Sequence, residues 1–329
     1  MEKHPRSHRR PLAGAWVTTL VTSVLVALLP GSASASAVTT WHTGSGRPAL
    51  ATVGSRLYVA WAGSSGTTAA KELVLGYSTD DGVDIVKLDS TERVPQNEGA
   101  AIDGDGTGAY VAWPAGDNGN TLTAFYYNGS AKTCRTAFTG VVTPHAPALA
   151  NDQAGHRYLA WTDPSGHLNI GRLDSSGCAT HHTLALVDRH TFADTSPAGP
   201  ALMWDDSGSS DLGTVIAWTG SDAGHTLNVA SYDETAGALT LRSQVTSPVG
   251  ATDGPGLASA DSDVYIGWRG TDGDFHFAYS EGCRPTCFND SSIGSNPPIS
   301  GGVGMFGSAL SATRWAYLDS DSHLVVSHF

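Results

Sequence analysis

The chain has 329 residues, 18 Lys plus Arg against 31 Asp plus Glu, a formal net charge of −13 at pH 7, and 39 glycines. So few cations leave no basic surface for a phosphate backbone, which excludes nucleic acid and anionic membranes as expected partners. All but six of the acids are Asp, and Asp with Gly is the chemistry of turns rather than of Glu- and Lys-rich helices, so the expected fold is all-β.

In chain order the first feature is a leader. Lys3, Arg6, Arg9 and Arg10 precede an apolar stretch over 12–29, then Pro30, Gly31 and a small-residue run over 32–37. Basic, apolar, then small residues with Ala-x-Ala is the order of a secretory signal peptide, cleaved after Ala35 or Ala37. An uncleaved anchor is the alternative, because the apolar stretch is almost long enough to span a bilayer. Cleavage divides the chain into a signal peptide, 1–37, and a single domain, 38–329. It removes four bases and one acid, taking the net charge from −13 to −16. The expected location is extracellular, without membrane attachment and as a monomer.

A repeat follows. A short apolar run recurs at Pro48-Ala49-Leu50, Ala100-Ala101-Ile102, Pro147-Ala148-Leu149, Pro200-Ala201-Leu202, Pro255-Gly256-Leu257 and Ser308-Ala309-Leu310. Each copy precedes a second run ending in an aromatic anchor: Trp61, Trp113, Trp161, Trp218, Trp268 and Tyr317. The anchors are spaced by 52, 48, 57, 50 and 49 residues. A Gly- and Asp-rich turn and a third run come next, at 73–77, 122–126, 168–173, 227–232, 275–279 and 324–329. Weaker fourth runs stand at 85–88 and 239–243. Units of this size with short turns predict four-stranded antiparallel blades and a six-bladed β-propeller. The strands read apolar on both faces, as a blade packed between two others requires. The last repeat stops after its third strand, so the segment 38–43, with Trp41, is expected to supply the fourth and close the ring.

Four cysteines follow the leader. An even count in an oxidising compartment predicts disulfides, with Cys283–Cys287 as a local clip and Cys134–Cys178 joining neighbouring segments. A metal site is the competing reading, but no Cys-x-x-Cys or paired His knuckle is present. His181-His182 lies near Cys178, yet adjacent residues on a strand point to opposite faces. No metal site and no cofactor are expected. Asp103-Gly104-Asp105-Gly106 and Asp261-Ser262-Asp263 are calcium-loop fragments without a complete ligand set, so calcium stays open.

Two resemblances bear on these repeats. The segment Tyr77-Ser78-Thr79-Asp80-Asp81-Gly82-Val83-Asp84-Ile85 resembles the Asp box of bacterial sialidases, with Ile85 at the aromatic position. In that family the box is a turn away from the active site, so the likeness implies fold rather than chemistry. Arg47-Pro48 is similar to part of the sialidase Arg-Ile-Pro motif, but the rest of the catalytic set is not visible. The segment Trp268-Arg269-Gly270-Thr271-Asp272-Gly273-Asp274-Phe275 resembles the repeat of secreted bacterial propeller lectins that bind fucose and related sugars, with weaker copies from Trp161 and Trp218. The likeness spans nearly all of 38–329 and implies a glycan-binding propeller. The lectins' third-strand Trp is replaced here by Asn169, Asn228 or His276.

Two sets of candidate ligand-binding residues follow from the propeller pattern. Arg47, Glu98, His145 and Asp253 precede their inner strands by one to three residues, and would ring the channel mouth with a cation, two carboxylates and an imidazole. Asn120, His167, His225, Asp274 and His323 stand at or beside the start of the third strand, either as repeated ligand sites or as turn caps bonding local backbone. The anchor aromatics are expected to pack between blades. Trp41 and Trp204 break the period and are candidates for exposed stacking on a ligand.

Catalytic residues are not expected. Glu98 with Asp253 is the one carboxylate pair available to a glycosidase, and no Gly-x-Ser-x-Gly, His-Glu-x-x-His or phosphate loop is present. The expectation is a secreted, non-catalytic, lectin-like binding protein for an extracellular glycan. Its rivals are a propeller glycoside hydrolase or polysaccharide lyase, and a propeller that binds and modulates another secreted protein such as a protease.

Overall fold

Short Gly- and Asp-containing turns return the chain after every few residues, and the products are antiparallel sheets. The computed structural model describes residues 36–66, 70–78, 85–116, 119–152, 154–205, 213–245, 247, 249–260, 263–280, 288–290, 297–308 and 311–328. The described residues belong to one compact unit. The leader up to residue 35, the Asp-box turn over 79–84, Asp261-Ser262 and the Cys283–Cys287 clip lie outside the described residues.

Blade 1 contains β1 (Ser36–Val53), β2 (Arg56–Gly66), β3 (Ala70–Ser78) and β4 (Ile85–Pro95). Blade 2 contains β5 (Ala101–Gly104), β6 (Ala109–Ala115), β7 (Thr121–Tyr127) and β8 (Lys132–Val142). Blade 3 contains β9 (Ala148–Asn151), β10 (Arg157–Thr162), β11 (His167–Asp174) and β12 (Ala185–Thr195), with a helical turn α1 (Cys178–His181) before β12. Blade 4 contains β13 (Ala201–Asp205), β14 (Gly213–Thr219), β15 (Leu227–Asp233) and β16 (Ala238–Gln244). Blade 5 contains β17 (Gly256–Ala260), β18 (Asp263–Arg269), β19 (Phe275–Tyr279) and β20 (Asn289–Asp290). Blade 6 contains β21 (Gly304–Ser308), β22 (Ser311–Leu318) and β23 (His323–His328).

Every strand pair is antiparallel, and blades 2 to 5 are separate four-stranded sheets. Strand β1 serves two blades. Its first half pairs with β23, from Ser36 opposite His328 to Thr43 opposite His323, and its second half pairs with β2 through Ala49 opposite Ala60. The register shifts once within each pairing, between Thr39 and Thr43 and between Ser45 and Ala49, and the shared strand makes blades 6 and 1 one seven-stranded sheet.

The core lies between blades. Leu57, Val59, Trp61 and Val74 of blade 1 pack on Ala316, Leu318, Leu324 and Val326 of blade 6. Trp113 and Trp268 are 0 % exposed and Tyr317 only 7 %, so the aromatic anchors pack between blades as their spacing implies. Burying such a side chain contributes roughly 2–3 kcal/mol each.

Polar groups also join blades. Glu92 accepts a bidentate pair from Arg135 Nε and Nη2 at 2.8 and 2.9 Å, and a further bond from Lys132. Burial works to raise this carboxyl, but the two cations outweigh it and hold it below the usual carboxylate range. Cys134 and Cys178 form a disulfide across 44 residues. The residues beside it correct one expectation: His181 lies in α1 and His182 caps it at φ 54°, so the pair sits on a helical turn and not on a strand.

Candidate functional site

The segments leading into the six inner strands begin the site. The sixth inner strand is β21, Gly304–Ser308, and not the expected run at 308–310, so the residues that correspond to Arg47 in the other five lead-ins are Gly99, Ala146, Gly199, Gly254 and Gly302. These segments crowd one another at the centre. A Cβ on Gly99 would overlap the Arg47 carbonyl, and one on Gly199 would overlap the Ala146 carbonyl. Small residues are therefore required in most copies, and one copy carries a side chain long enough to cross the middle.

That side chain is Arg47. Its Nη1 donates to the carbonyls of Pro200 and Pro255, both at 2.9 Å, and its Nη2 donates to Pro147 at 2.8 Å and Ala146 at 3.4 Å. One guanidinium thus ties blade 1 to blades 3, 4 and 5. Burial lowers its pKa to about 10, against the opposing pull of Glu98 and Asp253, so it is a cation at any physiological pH.

The other three residues expected at the mouth are close but separately engaged. Glu98 accepts the backbone N–H of Ala146 at 2.7 Å, and its second oxygen lies 3.1 Å from His145 Nδ1. Asp253 lies 3.5 Å from Arg269 Nη1, and its carbonyl accepts from Thr219 Oγ1 at 2.8 Å. Glu98 and His145 thus make a direct pair, while Asp253 sits apart with Arg269.

The turn set lies on the same face. Thr143 donates its N–H to Asn120 O, Ala251 to His225 O, and Asp274 bridges to Pro298, so each turn supports a lead-in segment. Asp163 Oδ1 accepts the N–H of His167, and Asp319 Oδ1 accepts that of His323. The Asp274 N–H is bound by Asp272. Asn120 and His225 adopt φ of 60° and 49°. Their backbone atoms shape the turns, and all five side chains are partly exposed.

Along the channel from Arg47 lies a cavity of ≈ 260 Å³, walled by residues from all six inner strands. Asp103, Asn151, Trp204 and Ser259 stand at the far ends of those strands and line it. Asn151 Nδ2 donates to Asp103 at 2.6 Å, as does Arg157 Nε, and the Arg157 guanidinium lies 3.8 Å over the Tyr110 ring. Burial raises the Asp103 carboxyl, with Arg157 opposing it. Trp204 was expected to be exposed for stacking. Instead it is partly buried in the cavity wall, because β13 is an inner strand and its residues face the channel rather than the outer surface.

A second cavity of ≈ 180 Å³ opens at the seam of blades 6 and 1, lined by His42, Thr43, Trp61, Ser64, Glu72 and Lys87 among others. The His42 and Trp61 rings are 5.4 Å apart, and Lys87 Nζ donates to Glu72 Oε1 at 2.6 Å. Burial pushes the His42 imidazole below its usual value, leaving it neutral at neutral pH. Sequence patterns did not single out this pocket, since Glu72 and Lys87 meet through the pairing of β3 with β4 and His42 joins them from the half of β1 that pairs with β23. Among the described residues no group of three or more His, Cys, Asp or Glu is placed to hold a metal ion. The Asp105 carboxylate of the first calcium-like fragment is taken up by its own turn, accepting from the N–H groups of Thr107 and Gly108.

No protein-family model matches the chain, and no curated protein matches it. Solved structures do. The SapL1 lectin in complex with alpha methyl fucoside is 12% identical, with TM-score 0.61 over 88% of this chain and 94% of that one. The Aleuria aurantia lectin, a six-bladed β-propeller with a novel fucose recognition mode, is 13% identical, with TM-score 0.57 over 86% of this chain and 90% of that one. The Trypanosoma rangeli sialidase in complex with the inhibitor DANA is 13% identical, with TM-score 0.54, over 87% of this chain and 55% of that one. At such identities the likeness establishes architecture, and the chain is a six-bladed β-propeller.

Proposed function

We propose that the protein is a secreted, lectin-like glycan-binding propeller without catalysis of its own. The seam pocket carries this reading. It sets the partly exposed His42 ring, with the buried Trp61 next to it, beside a carboxylate–ammonium pair and two hydroxyl residues, in a space of ≈ 180 Å³. A sugar presents both complements: an apolar C–H face for the His42 ring and a fan of hydroxyls for Glu72, Lys87, Ser64 and Thr43. The acidic balance of the chain favours a neutral sugar over an anionic one. The fucose-lectin neighbours support the reading at the level of fold. Glu98, His145, Asp253 and the turn residues His167, His225, Asp274 and His323 offer further contacts on the face of the lead-in loops.

Export is part of the same proposal. Ser36 and Ala37 pair with His328 and Ser327, so cleavage after Ala35 keeps the whole strand and cleavage after Ala37 trims it. Terminal sequencing of protein recovered from culture medium is expected to begin at Ser36.

The test is a glycan array with the wild type and Glu72→Gln, with and without chelator. Saturable binding to a neutral sugar family, weakened roughly tenfold or more in Glu72→Gln, supports the proposal. Loss with chelator adds a bound calcium. A blank array overturns the glycan reading in favour of a protein partner, whose binding to so acidic a surface falls with salt. Turnover of a bound glycan places the protein instead with the propeller hydrolases or lyases.

A further inference from the structure

We propose that Asn128 is a site of covalent self-modification, at which the backbone nitrogen of Gly129 displaces the side-chain amide nitrogen and water then opens the ring to aspartate or isoaspartate. The site is the turn between β7 and β8 and does not depend on the glycan reading.

Asn128 and Gly129 begin the four-residue turn 128–131, and all four residues are exposed. The Asn128 N–H donates to the Ala131 carbonyl at 3.1 Å. Its side-chain Oδ1 accepts three bonds: from the N–H of Ser130 at 3.1 Å, the N–H of Ala131 at 2.9 Å and Ser130 Oγ at 2.9 Å. The Asn128 Nδ2 and the Gly129 N–H make no hydrogen bond among the described residues. Gly129 has φ 87°, a conformation that favours glycine. The turn thus fixes one oxygen of the side chain and leaves both reacting nitrogens open to water.

The arrangement suits the reaction. The attacking nitrogen belongs to a glycine, so no Cβ crowds its approach to Asn128 Cγ, and its N–H can give its proton to water. Attack makes Oδ1 an oxyanion, and three donors already point at that oxygen. The new bond from Gly129 N to Cγ closes a five-membered imide, the Cγ–Nδ2 bond breaks, and ammonia leaves with a proton taken from solvent. Water then cleaves one of the two imide bonds. Cleavage at Cγ gives aspartate, and cleavage at the Asn128 backbone carbonyl gives isoaspartate.

Other asparagines lack this combination. Asn151, Asn169 and Asn228 donate Nδ2 to Asp103, to the His167 carbonyl and to the Thr226 carbonyl. They are followed by Asp152, Ile170 and Val229, whose side chains crowd the attacking nitrogen. Conversion of Asn128 adds a negative charge, and the isoaspartyl form adds one carbon to the backbone just before β8. That strand gives Lys132 and Arg135 to Glu92 and Cys134 to the disulfide.

The test holds the full chain at pH 9 and 37 °C, folded and in parallel unfolded in urea. Peptides spanning each asparagine are followed by mass spectrometry, with isoaspartate counted by enzymatic methyl transfer. In the folded protein the Asn128 peptide is expected to convert while those of Asn151, Asn169 and Asn228 stay intact. Ser130→Ala removes one of the three donors to Oδ1 and is expected to slow conversion roughly fivefold, the scale of one hydrogen bond. An Asn128 that stays intact in the folded protein while the unfolded chain converts overturns the proposal, because the turn then protects the amide. A rate unchanged or raised in Ser130→Ala overturns the role given to the donors on Oδ1.

Discussion

Arg47 Nη1 donates to the Pro255 carbonyl at 2.9 Å, joining residues 208 positions apart across the centre of the propeller. The partners of this guanidinium are all backbone oxygens at the inner ends of other blades. Where Glu92–Arg135 joins two adjacent blades, this guanidinium ties three further blades to the first by direct hydrogen bonds at the centre. Removing it leaves several carbonyls without a donor.

Arg47→Met is therefore expected to destabilise the fold by roughly 3 kcal/mol or more, since each unsatisfied buried carbonyl costs about 1–3 kcal/mol. Arg47→Lys retains the charge but not the planar fork, and is expected to fall between. Chemical denaturation of the three proteins checks the order. Equal stability of Arg47→Met and wild type would show that water replaces the guanidinium at no cost.

The lead-in glycines make an independent prediction. A Cβ on Gly199 would overlap the Ala146 carbonyl, and backbone cannot move aside as a flexible side chain can. Gly199→Ala is expected to cost about 1–3 kcal/mol by overpacking, where Gly→Ala on an open turn would not. Gly155→Ala is a poor control because Gly155 has φ 86°. Gly224→Ala, which meets only the ends of two side chains, serves instead.

Glu92 predicts a pH dependence. Its carboxyl is depressed in the folded protein, so its contribution is fully present above its unfolded value of 4.5 and is lost as the pH falls through the folded value. Melting curves from pH 7 down to 3 are expected to show a decline that Glu92→Gln flattens. At neutral pH Glu92→Gln is expected to lose about 2 kcal/mol, the scale of hydrogen bonds to a charged group. A variant that retains the full acid decline would assign it to other carboxylates.

The Cys134–Cys178 bridge closes a loop of 44 residues. Chain-entropy arguments set its contribution at about 4 kcal/mol. A Cys134→Ser, Cys178→Ser double variant is expected to unfold at correspondingly lower denaturant, and the wild type to do the same under reducing conditions. A reductant effect that persists in the double variant would point to the other two cysteines.

Local chemistry is enough to read the blades. The recurrence of a Pro-Ala-Leu run, an aromatic anchor and an Asp-Gly turn about every 50 residues reports a unit that cannot bury both its faces alone, and therefore the all-β, six-fold architecture. The Cys134–Cys178 pairing was legible from the even cysteine count and the placement of the two in neighbouring repeats, and the buried anchors from their spacing. The positions of Arg47, Glu98 and His145 near the mouth followed from counting back from the inner strands. Their bonds did not, because the carbonyls that Arg47 engages are defined only when three other blades arrive beside it. Trp204 shows the same limit from the other side. Its departure from the repeat was visible, but whether an odd aromatic faces solvent or a central chamber depends on the placement of all six inner strands. His42, Glu72 and Lys87 carry no pattern at all: Glu72 and Lys87 meet across β3 and β4 of blade 1, and His42 is set beside them by the stretch of β1 where that strand changes partners. Periodicity specifies the unit because it repeats along the chain, whereas each cavity is made by the residues that depart from it, and only closure in three dimensions places those side by side.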